Sequence, residues 1–120
     1  MIILGAHALL DLYGCNSKKI NNQKTVLAAM LDIVNSLEMK VIGKPFVHKF
    51  HPQGCTAFIP LAESHLAIHT WPERGFAALD IFTCGQNRNF NKIIKLIKRK
   101  LDAQRTKIKI TSRGVVRDSF

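Results

Sequence analysis

Cysteine is scarce and oddly counted in this chain: Cys15, Cys55 and Cys84 are the only three among 120 residues. An odd number with no close pair supplies neither a disulfide framework nor a zinc knuckle, so at least one thiol is free. Long apolar runs are missing as well. No stretch approaches the roughly 18 residues of a membrane-spanning helix, and the opening MIILGAHALL carries neither a basic leader nor a small-residue cleavage site. A soluble cytoplasmic protein is the expectation. Repeats, linkers and low-complexity tracts are absent, and so is a GxSxG nucleophile elbow. HLAIH (residues 65–69) lacks the glutamate of a zincin motif and sits in strand-like sequence. A hydrolase built on Ser64, His69 and Asp80 and a metal site built on His65 and His69 are therefore not expected.

Acidic side chains are also few, 8 against 18 Lys and Arg, for a formal charge of +10. The excess is local. Residues 86–120 hold 11 basic and two acidic residues, or +9, whereas residues 1–85 are nearly neutral at +1. Such a tail suits a solvated helix face, and a nucleic-acid partner is not expected. The opposing reading is a binding module that uses this basic face and performs no chemistry.

What is present makes one domain, since 120 residues with 47% hydrophobic content suffice for a core. Ile2 to Leu12 reads as a strand, with a buried helix segment as the alternative because the run is apolar rather than strictly alternating, and a loop follows at residues 13–17. From Asn22 to about Leu37, Val26, Leu27, Met30, Val34 and Leu37 recur at helical spacing. Val41 to Phe50 reads as a strand whose Gly43 and Pro45 argue for an edge or a bulge. Cys55 to Leu61 reads as another, with Pro60 arguing for an edge position or an interruption. His65, Ala67, His69 and Trp71 then alternate with Leu66, Ile68 and Thr70, the period of a half-buried strand. Residues 71–75 (WPERG) reverse the chain into a strand from Phe76 to about Thr83.

Asn89 is placed to cap a second helix reaching about Ala103, with Phe90, Ile93, Ile94, Ile97 and Leu101 as its apolar stripe. Lys107 to Thr111 reads as a last strand, with loose residues beyond Arg113. The order βαββββαβ predicts an α+β sandwich, a mostly antiparallel sheet with two helices on one face. A turn centred on Glu73 pairs residues whose numbers sum to about 146. That brings Cys84 beside Ala62 to Ser64, a thiol next to a carboxylate and a hydroxyl.

AESHLAIHTWPE (residues 62–73) followed by GFAALDIFTCG (residues 75–85) resembles the signature of the small prokaryotic S-adenosylmethionine decarboxylases, pyruvoyl enzymes made as single proenzymes. The similarity extends through Gly5-Ala6-His7, Tyr13 to Cys15 and Phe50 to Gly54. The C-terminal third is similar only in its helix-then-strand pattern. The resemblance implies self-cleavage between Glu63 and Ser64, giving a β chain of residues 1–63 and an α chain of residues 64–120. The Ser64 hydroxyl attacks the Glu63 carbonyl carbon, the amide becomes an ester, and loss of the Ser64 α-proton ejects the Glu63 carboxylate. Hydrolysis of the remaining dehydroalanine leaves a pyruvoyl group as the self-generated cofactor.

The family places a proton-accepting histidine at His69 and a stabilising hydroxyl at Thr56 for this processing. In turnover the ketone forms a Schiff base with the substrate amine, and Cys84 returns a proton to the α-carbon. Phe50 matches an aromatic that stacks on adenine, and Glu73 a carboxylate for the ribose hydroxyls. Relatives with the same fold and centre decarboxylate arginine or ornithine instead. Thr56 stands where many members have serine, and Cys55 and Ala57 where Val and Gly are usual. The Ala57 β-carbon is expected to restrict backbone approach beside the processing hydroxyl.

Ser64 and His69 are five residues apart, roughly 16 Å in an extended strand, whereas proton transfer needs about 3 Å. A homodimer resolves the conflict, because a two-fold axis lets His69 of one protomer meet Ser64 of the other. Each site is then expected to take Ser64 and Cys84 from one protomer and Phe50, Thr56, His69 and Glu73 from its partner. Adjacent Ser64 and His69 within one protomer would exclude this arrangement.

Overall fold

The computed structural model describes residues 1–84 and 89–117. Gly85, the end of the signature stretch, lies outside them. Six strands form one sheet: β1 (Ile2–Tyr13), β2 (Phe46–Lys49), β3 (Cys55–Leu61), β4 (Ser64–Trp71), β5 (Phe76–Cys84) and β6 (Arg105–Val116), in the spatial order β2-β3-β4-β5-β1-β6. All neighbours pair antiparallel. The helices are α1 (Ser17–Ile20), α2 (Gln23–Ser36) and α3 (Phe90–Lys100). This is the expected α+β sandwich, with one helix more than the sequence announced. Four residues of α1 are too few to show a period, although Asn16 caps them by accepting from the Lys19 amide at 3.1 Å. Asn22 and Asn89 cap α2 and α3 in the same way, at 3.0 and 3.1 Å.

The core lies between the helices and one face of the sheet. Leu10, Leu12, Ile59, Leu66, Ile68, Leu79 and Ile81 meet Met30, Ile33, Ile93 and Ile97 there, all essentially excluded from water. Full burial of Ile93 and Ile97 contributes about 1.5–3 kcal/mol each. The opposite face is open. Phe46, Phe58 and Leu9 stand out from it, partly exposed.

Several expectations need correcting. Residues 114–116 are not loose: β6 continues to Val116, because β1 is twelve residues long and offers Ile2 and Ile3 as partners for Val116 and Val115. Residues 118–120 lie outside the described residues. Pro60 neither interrupts β3 nor puts it at an edge. It stays in register with His65, and its carbonyl, pointing away from β4, accepts from the Ile42 amide at 3.1 Å. The missing proline N–H therefore faces a side that β2, paired only as far as Phe58, does not cover. The strand expected over Val41 to Phe50 shrinks to Phe46–Lys49 plus one bridge between Val41 and Leu61, and it does form an edge. Ser64 lies opposite Thr83, one residue off the expected register, because the reversal is a 3₁₀ turn (Pro72–Arg74) closed by Gly75 in the left-handed region at φ 60°.

Candidate active site

The Glu63–Ser64 peptide sits at the tip of the β3–β4 hairpin, where Ala62 and Glu63 turn the chain and Leu61 pairs with Ser64. Two residues leave no slack, so neighbouring backbone fixes the tip. The Ala62 amide donates to the Lys40 carbonyl, and the Cys84 amide donates to the Glu63 carbonyl, each at 2.9 Å. The second bond aims a donor at the oxygen that gains negative charge if a nucleophile adds to that carbonyl. The Ser64 hydroxyl donates to the Phe82 carbonyl. Opposite Ser64, Thr83 is fully buried and its Oγ1 has no partner among the described residues.

A second group of side chains collects at the far end of β4. Phe50, Gln53, Thr56, His69, Trp71 and Glu73 line a cleft of about 340 Å³, within the usual range of roughly 300–1,000 Å³ for small-molecule sites. Thr56 lies directly across from His69, and its Oγ1 is 3.0 Å from His69 Nδ1. Phe50 is held by the edge of the His48 ring, with centroids 4.6 Å apart. Its loop is closed by a bond from its own amide to the Gly54 carbonyl at 2.8 Å and tied down by Asn21 Oδ1, which accepts from the Gly54 amide at 2.9 Å. Gly54 has φ +110°, and a β-carbon there would meet the Thr70 carbonyl at 3.1 Å, so only glycine fits. Ala57 is buried on the helix side, so its β-carbon points away from Thr56 and does not crowd that hydroxyl.

The structure thus brings Glu63, Ser64 and Cys84 together at one end of the sheet and Phe50, Thr56, His69 and Glu73 at the other. Ser64 and His69 share β4 five residues apart, and strand alternation turns them to opposite faces. Asp80 lies opposite Ala67 and joins neither group. A larger cleft of about 600 Å³ between α2 and α3, lined by Asp32, Lys92, Lys95 and Arg99, contains none of the expected site residues. Sequence reasoning missed the Cys84 backbone amide, the Thr83 hydroxyl, His48 and Asn21. Only the register signal that brought Cys84 next to Glu63 pointed to any of them.

The three thiols are all free but unequal: Cys15 and Cys55 are buried and Cys84 is exposed. Burial pushes the Cys15 thiol up to about 11. Burial also raises Cys55, partly offset by the charge of Lys49 and a hydrogen bond with Thr70. Because thiolate is the reactive form, Cys84 is expected to react with iodoacetamide at pH 8 long before the other two, with three thiols labelled only after denaturation. Rapid native labelling of Cys15 would contradict this burial. In the unfolded chain Cys15 ionises near the ordinary 9.0, before it does in the folded protein, so stability should fall as pH rises from there towards about 11.

Comparison with known proteins fits this geometry. The S-adenosylmethionine decarboxylase family model matches residues 6–114. A Sulfurihydrogenibium protein named S-adenosylmethionine decarboxylase proenzyme is 42% identical over 113 residues, covering 94% of this chain and 84% of the relative. A Clostridium botulinum protein of the same name is 37% identical over 112 residues, covering 93% of this chain and 96% of the relative. The crystal structure of the adenosylmethionine decarboxylase from Aquifex aeolicus superposes with a TM-score of 0.90 at 31% identity, covering 100% of this chain and 98% of that one. With the hairpin tip and the cleft inside the family match and the full chain covered by the Aquifex structure, the chain belongs to the S-adenosylmethionine decarboxylase family.

Proposed function

We propose that this chain is a proenzyme that cleaves itself between Glu63 and Ser64 and, once cleaved, decarboxylates S-adenosylmethionine. The observation that carries the reading is the Cys84 amide bonded to the Glu63 carbonyl at the hairpin tip. As the Ser64 hydroxyl adds to the Glu63 carbonyl carbon, this donor stabilises the oxygen that takes up charge. The residues around position 64 also fit the group that cleavage would create, since the buried, unpartnered Thr83 Oγ1 is a donor suited to a carbonyl oxygen there. That pyruvoyl group would supply an electrophile for the substrate amine and a sink for the electrons left when carbon dioxide departs.

The chain's own residues perform the rest. To act as a base, His69 must hold its proton on Nδ1 and donate it to Thr56 Oγ1, which leaves the Nε2 lone pair to take the Ser64 α-proton. Within one protomer it cannot reach that proton. We therefore assign the working unit as a homodimer in which each site joins the hairpin tip and Cys84 of one copy to the cleft of the other. The open sheet face, with its exposed Phe46, Phe58 and Leu9, suits a second copy. Cys84, adjoining the tip, would return a proton to the substrate α-carbon. Phe50 offers a face for adenine, and the Glu73 carboxylate acceptors for two ribose hydroxyls.

Those last two features favour an adenosyl substrate over arginine or ornithine, which have neither ring. Incubation with each of the three carboxyl-labelled substrates should release carbon dioxide from S-adenosylmethionine alone. On a denaturing gel the active protein should run as fragments of about 7 and 6 kDa, from average residue mass. Release from arginine or ornithine instead would overturn the substrate assignment, and an inert, uncut chain would overturn the enzyme.

A further inference from the structure

Across the sheet from the hairpin tip stands a cation with no acid paired to it among the described residues. Cys84 on β5 lies opposite Gly5 on β1, and Gly5 lies opposite Arg113 on β6, so the three form one row. Directly opposed residues of an antiparallel sheet share a face, and strands are about 4.8 Å apart. Arg113 and Cys84 thus stand on the same side of the sheet about 10 Å apart, with only a glycine between them. A β-carbon at Gly5 would meet the Thr83 carbonyl at 2.8 Å and Phe82 Cζ at 3.2 Å, so the Phe82 ring leans into the space glycine leaves. The Arg113 guanidinium lies over that ring, 5.7 Å from its centroid.

Among the described residues, the contacts of the exposed guanidinium do not neutralise it. Ion pairs between described residues join Lys19 to Asp102 and Lys100 to Asp32, and neither involves Arg113. Its polar partner is His7, whose Nδ1 lies 3.4 Å from Arg113 Nη1. Arginine can only donate, so His7 Nδ1 accepts and the ring proton sits on Nε2, which is buried without a partner. The His7 ring meets Phe82 and His65 edge-on, and His65 in turn is stacked between Phe58 and Phe82. Arg113 is exposed, so its guanidinium above the Phe82 ring is an accessible cation on the face that carries Cys84.

We infer that Arg113, aimed by His7, receives the α-carboxylate of the substrate. The inference rests on the proposed function. S-adenosylmethionine carries one anionic group, its α-carboxylate. Because the proposed proton donor to the α-carbon is Cys84, that carbon lies on the Cys84 side of the sheet, where Gly5 leaves the way from it to Arg113 open. The substrate sulfonium, being cationic, is repelled by Arg113, which sends the adenosyl end the other way, towards the cleft. A single guanidinium over an apolar floor orients the carboxylate without rehydrating it, and loss of carbon dioxide then discards the only charge Arg113 attracts. Arg113 therefore distinguishes substrate from product.

Kinetics with Arg113→Gln and Arg113→Lys test this, each variant first checked for its two fragments. Losing a charged hydrogen bond should raise the KM for S-adenosylmethionine about 10- to 100-fold in Arg113→Gln, with partial recovery in Arg113→Lys. The inhibition constant of decarboxylated S-adenosylmethionine, which lacks the carboxylate, should stay within about twofold of wild type by the same reasoning. A parallel loss of substrate and product affinity, or no change in either, overturns the inference while leaving the decarboxylase reading intact. Should Arg113→Gln fail to cleave itself, Arg113→Lys alone decides, since it keeps the charge but loses the fork, and an unchanged KM overturns the inference. Wild-type protein inert towards S-adenosylmethionine overturns both.

Discussion

Replacing Ser64 by alanine is expected to leave a single uncut polypeptide that releases no carbon dioxide from S-adenosylmethionine. Alanine removes the only atom that can attack the Glu63 carbonyl from within the turn, and with it the precursor of the electrophile. The effect is total rather than graded, because neither step has a substitute group at that position. Folding should be untouched, since Ser64 is partly exposed and its hydroxyl bonds to a strand carbonyl rather than to the core. Intact mass spectrometry and labelled carbon dioxide release, measured on wild type and Ser64→Ala side by side, give the answer. Cleavage persisting in the variant, or activity independent of cleavage, would sink the proenzyme reading.

The second large effect concerns His69, and it depends on a second copy of the chain. By itself, His69→Ala should slow self-cleavage by about 10²- to 10⁴-fold, the usual worth of a positioned base. Mixed with Ser64→Ala protein, it should recover. In such a mixed dimer the intact His69 of the Ser64→Ala copy faces the intact Ser64 of the His69→Ala copy, so one site in two is complete. Co-expression with different affinity tags, followed by a denaturing gel, should show the His69→Ala chain cut and the Ser64→Ala chain whole. If a purified mixed dimer leaves both chains intact, the shared site is wrong. The prediction rests on the separation of the two residues along β4, since no rotamer spans five residues of extended strand.

Much of the fold could be read from local pattern. Alternation from His65 to Trp71 matches the observed faces, with Leu66, Ile68 and Thr70 buried and His69 and Trp71 exposed. The stripe of Phe90, Ile93, Ile97 and Leu101 matches the buried side of α3 and its end. Proline and glycine in residues 71–75 gave away the reversal, and a register error of one residue still brought Cys84 to Glu63. Other features had no local signature. The length of β6 depends on β1, more than ninety residues earlier, which extends far enough to pair with it. Pro60 looked disruptive because sequence cannot say which side of a strand lacks a neighbour. The Cys84 amide and Thr83 Oγ1 matter through where they point, not through residue type.

For this protein, the sequence by itself determined most of the strands, α2 and α3, the turn at residues 71–75, and the residue types from which the proposed site is drawn. Tertiary structure alone decided how those residues are divided. It set the hairpin tip and its backbone donor at one end of the sheet, the cleft at the other, and Arg113 across Gly5 from the thiol. Periodicity and turn chemistry act over a few residues and are written in neighbouring side chains. Pairing between distant strands is settled only when the whole sheet closes over one core, and that closure places each reactive group.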